Sequence, residues 1–174
     1  MVYRDVLARM WVLDPVPAWS PMLGGLKQLG QAPKHHLVDP ALAARLVGAT
    51  AEALLGGGGP RPRAGGVFLG VLFESLAAQT MRALAQAADA KVFHLRTHGG
   101  QHEIDLIVQR RDLKIVAFEV KLSSVVRPAD VAQLAWLRHQ VPDLVVDTVL
   151  LNTGPEAYRR QDGVAVVPLA LLGP

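Results

Sequence analysis

The order of segments predicts an α/β domain built on a mixed sheet. A long apolar helix is followed by three strand-like stretches, a second helix and a further strand. Of the 174 residues 51% are hydrophobic and 19% charged, which is ample for a core and unlike a disordered chain. The length suits one domain with a small appendage. A glycine-proline run, GGGGPRPRAGG, marks a change of composition and divides the chain into residues 1–55, 56–66 and 67–174.

The N-terminal part reads as short elements. Val2 to Met10 has helical patterning, and prolines 15, 17, 21 and 33 punctuate the stretch after it. His36-Leu37-Val38 fits a short strand. Pro40 to Val47 fits a helix with Asp39 as N-cap and Pro40 at its first position. Together they suit a small helical or winged-helix-like element. His35 and His36 are adjacent rather than at ligand spacing, which suits a solvated turn. Residues 56–66 cannot propagate a helix or a central strand and read as a linker or loop.

Beyond the linker the periodicities are clearer. Val67 to Ala88 holds no proline, is rich in Leu and Ala and reads as one helix. Lys91 to Thr97 suits a strand, and Gly99-Gly100 a turn. In Glu103 to Gln109, Ile104, Leu106 and Val108 alternate onto one face. In Leu113 to Leu122, Val116, Phe118, Val120 and Leu122 do the same. Arg127 to Gln140 is a helix opened by Pro128 and closed by Pro142. Asp147 to Asn152 and Val164 to Val167 read as strands.

Composition excludes several chemistries. Without cysteine there is no disulfide, thiolate metal site or cysteine nucleophile. The glycine run lacks the Lys-Ser/Thr pair and preceding strand of a phosphate-cradling loop, so ATP is not assigned. Aromatics at 5% are too few for base-stacking platforms. No run reaches 18 uninterrupted apolar residues and the N-terminus is not signal-like, so no membrane partner is expected, and a cytoplasmic location is. The net charge of +3 arises in residues 1–66, with seven Lys/Arg against four Asp/Glu. Residues 67–174 hold eleven of each. Charge alone therefore does not indicate nucleic-acid binding.

Charged residues inside the strand-like stretches carry the chemical signal. Glu119 and Lys121 share one strand face about 7 Å apart, opposite the apolar set. Asp105 lies opposite the Ile104/Leu106/Val108 set. A hairpin turn centred on Asp112 opposes Asp105 to Glu119 and Glu103 to Lys121. Opposed carboxylates with Cβ atoms about 5 Å apart repel and need a proton or a cation between them. A hard divalent ion with oxygen ligands at about 2.1 Å meets that need. Glu74 interrupts the apolar start VFLGVLFESLAA, where a charge needs a partner, and a helix packed on the sheet brings it toward Asp105. The same residues also suit a cross-strand Glu103–Lys121 salt bridge, with Glu74 on a wet helix face.

A helix glutamate, a strand aspartate and Glu-x-Lys on the next strand resemble the PD-(D/E)XK phosphodiesterase superfamily. The likeness extends to the nuclease-like domains of unknown function that follow the ATPase module in bacterial and archaeal AAA-type ATP-binding proteins. It is carried in order by YRDVLARMWVLDPVPAWSP, HHLVDPALAARLVG, GVLFESLAAQ, HLRTHGGQHEIDLIV, IVAFEVKLS and VVPLALL. It implies a restriction-endonuclease-like mixed sheet flanked by helices. It also implies Mg²⁺ or Mn²⁺ on Glu74, Asp105, Glu119 and the Val120 carbonyl, with Lys121 activating water or stabilising the phosphate. DNA is the implied substrate, and an ATPase module or partner protein the implied associate. The chain begins almost at the family domain's first helix, as a remnant, a separately encoded half or a fragment would. Some relatives add a glutamine and a tyrosine from the next helix. Gln133 fits the first role, whereas Leu137 occupies the tyrosine position. His102 reads as a turn residue, and Ser123 and Ser124 as a strand-end turn.

Two other functions fit less of the sequence. One is a non-catalytic module docking onto an ATPase or other protein, with Trp11 and Trp19 near prolines as its contact surface. Isolated tryptophans are more often core. The other is a winged-helix DNA reader in residues 1–55, which lack a recognition helix rich in Arg, Asn or Gln.

Overall fold

A computed structural model describes residues 2–21, 32–56 and 62–173. The chain starts with α1 (Val2–Arg9), which ends where Trp11 takes a left-handed backbone, φ 58°. Strands β1 (Leu13–Val16) and β2 (Lys34–Leu37) form an antiparallel ribbon with Val16 opposite Lys34. The proline-punctuated stretch thus contains a strand that its prolines concealed. The second strand begins two residues earlier than His36. Helix α2 (Pro40–Leu46) has the predicted start, for Asp39 Oδ1 accepts the Ala41 N–H at 2.7 Å. A further short helix, α3 (Ala51–Gly56), starts where Thr50 Oγ1 accepts the Ala53 N–H at 3.2 Å.

Residues 57–61 of the glycine-proline run lie outside the described residues. The long helix α4 (Pro62–Ala87) begins inside the predicted linker, because proline suits a first helical turn. Over Gly66–Ala87 its mean hydropathy is 1.3, long and apolar enough to cross a membrane by length and composition alone. The criterion of an uninterrupted apolar run missed this, since Glu74 and Arg82 break the run. In the fold, Ala77, Ala78, Met81 and Ala85 on this helix are buried in the core.

Next come β3 (Lys91–Arg96), β4 (Glu103–Gln109) and β5 (Ile115–Val120), joined by tight turns. Gly99 and Gly100 lie in the first turn, as predicted, and both have positive φ. A 3₁₀ turn at Pro128–Val131 leads into α5 (Ala132–Gln140). Strands β6 (Val145–Asn152), β7 (Tyr158–Arg159) and β8 (Ala165–Pro168) finish the fold.

The result is a mixed six-stranded sheet of order β3-β4-β5-β6-β8-β7 flanked by helices. β3, β4 and β5 are antiparallel neighbours, and β5, β6 and β8 run parallel. On one face Leu106, Phe118, Val120 and Leu151 pack with the small residues of α4. On the other, Ile107, Ile115, Ala117 and Leu150 pack with Leu134 and Leu137 of α5. Because helices cover both faces, β5 is apolar on both. The predicted single apolar face Val116/Phe118/Val120/Leu122 is therefore only half of what is buried, and Leu122 lies exposed past the strand end.

The N-terminal elements are stitched to this body. Trp19 N–H donates to the His94 carbonyl at 2.7 Å, and His94 N–H to the Pro17 carbonyl at 3.0 Å, so residues 17–19 run beside β3. Arg82 of α4 pairs with Asp14 at 2.8 Å and also donates to the Pro15 carbonyl. Leu150 is fully buried on the central β6. Leu150→Ala is expected to lower unfolding stability by about 2–5 kcal/mol, read by urea denaturation.

Candidate active site

The hairpin of β4 and β5 has the predicted register, with Leu106 opposite Phe118, Val108 opposite Val116 and Gln109 opposite Ile115. The ladder stops one step short of Asp105 and Glu119. Instead, Asp105 Oδ2 accepts the Val120 N–H at 2.9 Å, taking the place of a strand partner. The cause lies on the other side of β4. Between Phe93↔Ile107 and Leu95↔Ile104 the ladder shifts, leaving β4 one residue longer than β3. This bulge interrupts alternation at Asp105–Leu106 and re-aims side chains, as bulges do. Ile104 consequently joins the same core cluster as Ile107, not that of Leu106 as alternation predicts.

Glu103 does not face Lys121. It pairs across β3 with Arg96, whose Nε lies 3.5 Å from Oε2, and its Oε1 lies 3.3 Å from Lys34 Nζ. Lys121 donates to Glu119 Oε2 at 3.0 Å on its own strand. The predicted cross-strand pair is thus replaced by three others.

Glu74, on α4, reaches Asp105 through a lysine that sequence reasoning missed. Lys34 Nζ pairs with Glu74 Oε1, lies near Glu103 and stands 3.5 Å from Asp105 Oδ1. The available signal was alternation: in a strand Lys34 and His36 share a face. His36 is buried rather than in a solvated turn, and its Nδ1 lies 3.0 Å from Ser75 Oγ. Ser75 donates its hydroxyl proton to the Val71 carbonyl at 3.0 Å, so His36 Nδ1–H is the donor. The contact clamps β2 beside Glu74.

Electrostatics follow from crowding four acids with few cations. Burial, then the neighbouring Asp105, pushes the Glu119 carboxyl up to about 8, against the pull of Lys121. Burial and Asp105 likewise raise Glu74, against the pull of Lys34. Burial opposes charge on Lys34, but Asp105, Glu74 and Glu103 outweigh it and hold the ammonium above its ordinary range. Lys121 is also raised, its burial outweighed by Glu119 and Asp105. Burial and the charges of Lys34 and Arg82 depress His36 to about 4.

Among the described residues, no group of three or more His, Asp or Glu side chains is arranged as a ready metal cage. The oxygens that face inward are engaged by ammonium groups and by the Val120 amide. The neighbouring polar residues are likewise occupied. His102 Nδ1–H donates to Gln133 Oε1 at 2.9 Å, and its ring stacks on Trp136 at 4.0 Å and 3°. It sits in the predicted turn, yet half-buried and held on both sides. Leu137 is fully buried and brings no polar group. Ser123 closes a turn through both backbone groups of Val125, and Ser124 is exposed.

A mixed α/β domain with acids and lysines gathered at adjoining ends of two neighbouring strands is the class that fold and site define. Residues 69–172 match the family described as domain of unknown function DUF4143, and the chain belongs to that family. No curated protein and no solved structure matches it.

The sign of the pH dependence comes from these shifts. Glu119 holds its proton more tightly folded than unfolded, so its contribution is full at low pH and lost as pH rises through about 8. His36 works oppositely, its contribution being lost as pH falls through about 4. In chelator, the melting temperature is expected to fall between about pH 6.5 and pH 8.5, where the carboxyl governs. Glu119→Gln is expected to flatten that slope, and an unchanged slope places the titration elsewhere.

Proposed function

We propose that this domain is a divalent-metal-dependent nuclease hydrolysing DNA phosphodiester bonds, with a restriction-endonuclease-like PD-(D/E)XK core. One observation carries this reading: Glu74, Asp105, Glu119 and Lys121 come from three elements into one linked ionic cluster. The order α4-β3-β4-β5-α5-β6, with β5 and β6 parallel, supports it by giving the mixed sheet flanked by helices that the resemblance implies.

The donor chemistry fits a hard ion. Every inward side-chain donor is a carboxylate oxygen, the acids are crowded enough to raise Glu119 and Glu74, and a cation, the Lys34 ammonium, already stands among three of them. Glu74, Asp105 and Glu119 would hold Mg²⁺ or Mn²⁺, with the Val120 carbonyl beside them. The ion would supply Lewis acidity toward a phosphoryl oxygen and a lowered pKa for bound water. Asp105 anchors this end of β5 through the Val120 amide, keeping Glu119 and Lys121 at a fixed edge. Lys121 stays charged at neutral pH, as stabilising a phosphate requires. Gln133, tied to His102, orients the turn that leads into Glu103 and Asp105. An ATPase module is the proposed associate, as the resemblance implies.

A second reading has an observation of its own. Tyr3, Met10, Trp11, Leu46, Val47 and Leu55 in the N-terminal elements are well exposed, Trp11 at 79%. Large apolar side chains left exposed on these elements suit a module that docks onto a partner protein.

Incubation of the full chain with plasmid and linear DNA in Mg²⁺ or Mn²⁺ separates the two. The nuclease reading expects cleavage that Lys121→Ala reduces by about a hundredfold or more. Equal cleavage by both proteins would discard the assigned site. Absence of cleavage in either metal would leave the docking reading.

A further inference from the structure

The ammonium that stands among Glu74, Glu103 and Asp105 belongs to neither the helix nor the sheet that carries those acids. Lys34 is delivered by β2, with its backbone opposite Val16, which is fully buried. Two residues on, His36 is clamped to Ser75, the neighbour of Glu74. The backbone at Lys34 is therefore fixed, while its four-carbon stem remains the flexible part. Its side chain is 25% exposed, so the ammonium can swing to water without moving the ribbon.

The ammonium touches Glu74 and lies 3.3 Å from Glu103 Oε1 and 3.5 Å from Asp105 Oδ1. Glu74 and Asp105 are two of the three carboxylates assigned to the divalent ion. An ammonium and a divalent ion cannot both occupy the space between the same oxygens, since like charges at contact repel strongly. Removing the ammonium with nothing in its place would leave Glu74, Glu103 and Asp105 facing one another, with Arg96 reaching Glu103 alone.

We propose that Lys34 is the resident counter-ion of the site, neutralising its carboxylates in the metal-free protein and giving way when a divalent cation binds. The proposal rests on the nuclease reading of the same cluster and adds a regulation to it. Metal uptake becomes an exchange of one cation for another, so occupancy is graded by free metal concentration. Without the metal, Lys34 adds an ion pair to the His36–Ser75 and Arg82–Asp14 contacts that join ribbon and helix. The same lysine lowers the affinity of those carboxylates for the ion.

Calorimetric titration of Mn²⁺ into the chelator-treated full chain tests the exchange. Lys34→Gln is expected to bind Mn²⁺ about tenfold or more tightly than the wild type. Lys34→Arg keeps the charge and is expected to retain the weaker affinity. Equal affinity of Lys34→Gln and wild type overturns the counter-ion role and leaves the metal centre standing. No binding by either folded protein overturns both.

The unaltered chain offers a second measurement should the variants fail to fold. Reductive methylation mapped by mass spectrometry reports how free each lysine is. At a Mn²⁺ concentration that saturates the calorimetric signal, labelling of Lys34 is expected to rise severalfold while Lys91 and Lys114 stay constant. Unchanged labelling of Lys34 overturns the exchange.

Discussion

Negative charge concentrated where β4 and β5 part company is the constraint around which the fold is arranged. Glu103, Asp105 and Glu119 arrive from the sheet and Glu74 from α4, in surroundings dry enough to raise two of them. Such a cluster stands only if cations meet it. Lys121 does so from the same strand, Arg96 from β3 and Lys34 from the N-terminal ribbon. The ribbon is consequently held against α4 and the sheet by charge as well as by the His36–Ser75 contact and the Arg82–Asp14 pair. The N-terminal elements are thus part of the site's electrostatics.

Packing decides where that charge can sit. Helices α4 and α5 cover the two faces of the sheet and bury β5 and β6 almost throughout. Polar side chains on these strands are tolerated where a partner meets them, as Lys121 meets Glu119 and Arg138 meets Thr148. The bulge in β4 supplies the last adjustment. It interrupts the alternation at Asp105, and that carboxylate bonds the Val120 amide where the ladder of β4 and β5 has stopped. Backbone irregularity and chemical function coincide here because one extra residue redirects a side chain without disturbing the hydrophobic pairs on either side.

The two N-terminal tryptophans show how differently one residue type is used. Trp19 is 1% exposed and joins the core beneath α5, held by residues 17–19 running along β3. Trp11 follows α1 in a left-handed backbone and stands in solvent. Both lie near prolines, and no local pattern separates them. What differs is that the Trp19 amide itself bonds the edge strand β3, whereas Trp11 lies in the turn before β1.

The sequence by itself determined what depends on local period and end chemistry. That covers the long helix, the three-strand run, the Asp39 cap and the register of the hairpin from Leu106–Phe118 to Gln109–Ile115, which is fixed once its turn is placed. It also marked Glu74, Asp105, Glu119 and Lys121, since charges inside apolar periodic segments stand out. Tertiary structure alone decided the rest. β1 was concealed because its pairing with β2 joins segments some twenty residues apart, which no local signal reports. Glu103 exchanged its expected partner because a bulge shifts register only when a third strand is present. Lys34 entered the site for the same reason: a lysine's partners are set by the surface its strand lies against, and that surface exists only in the folded chain.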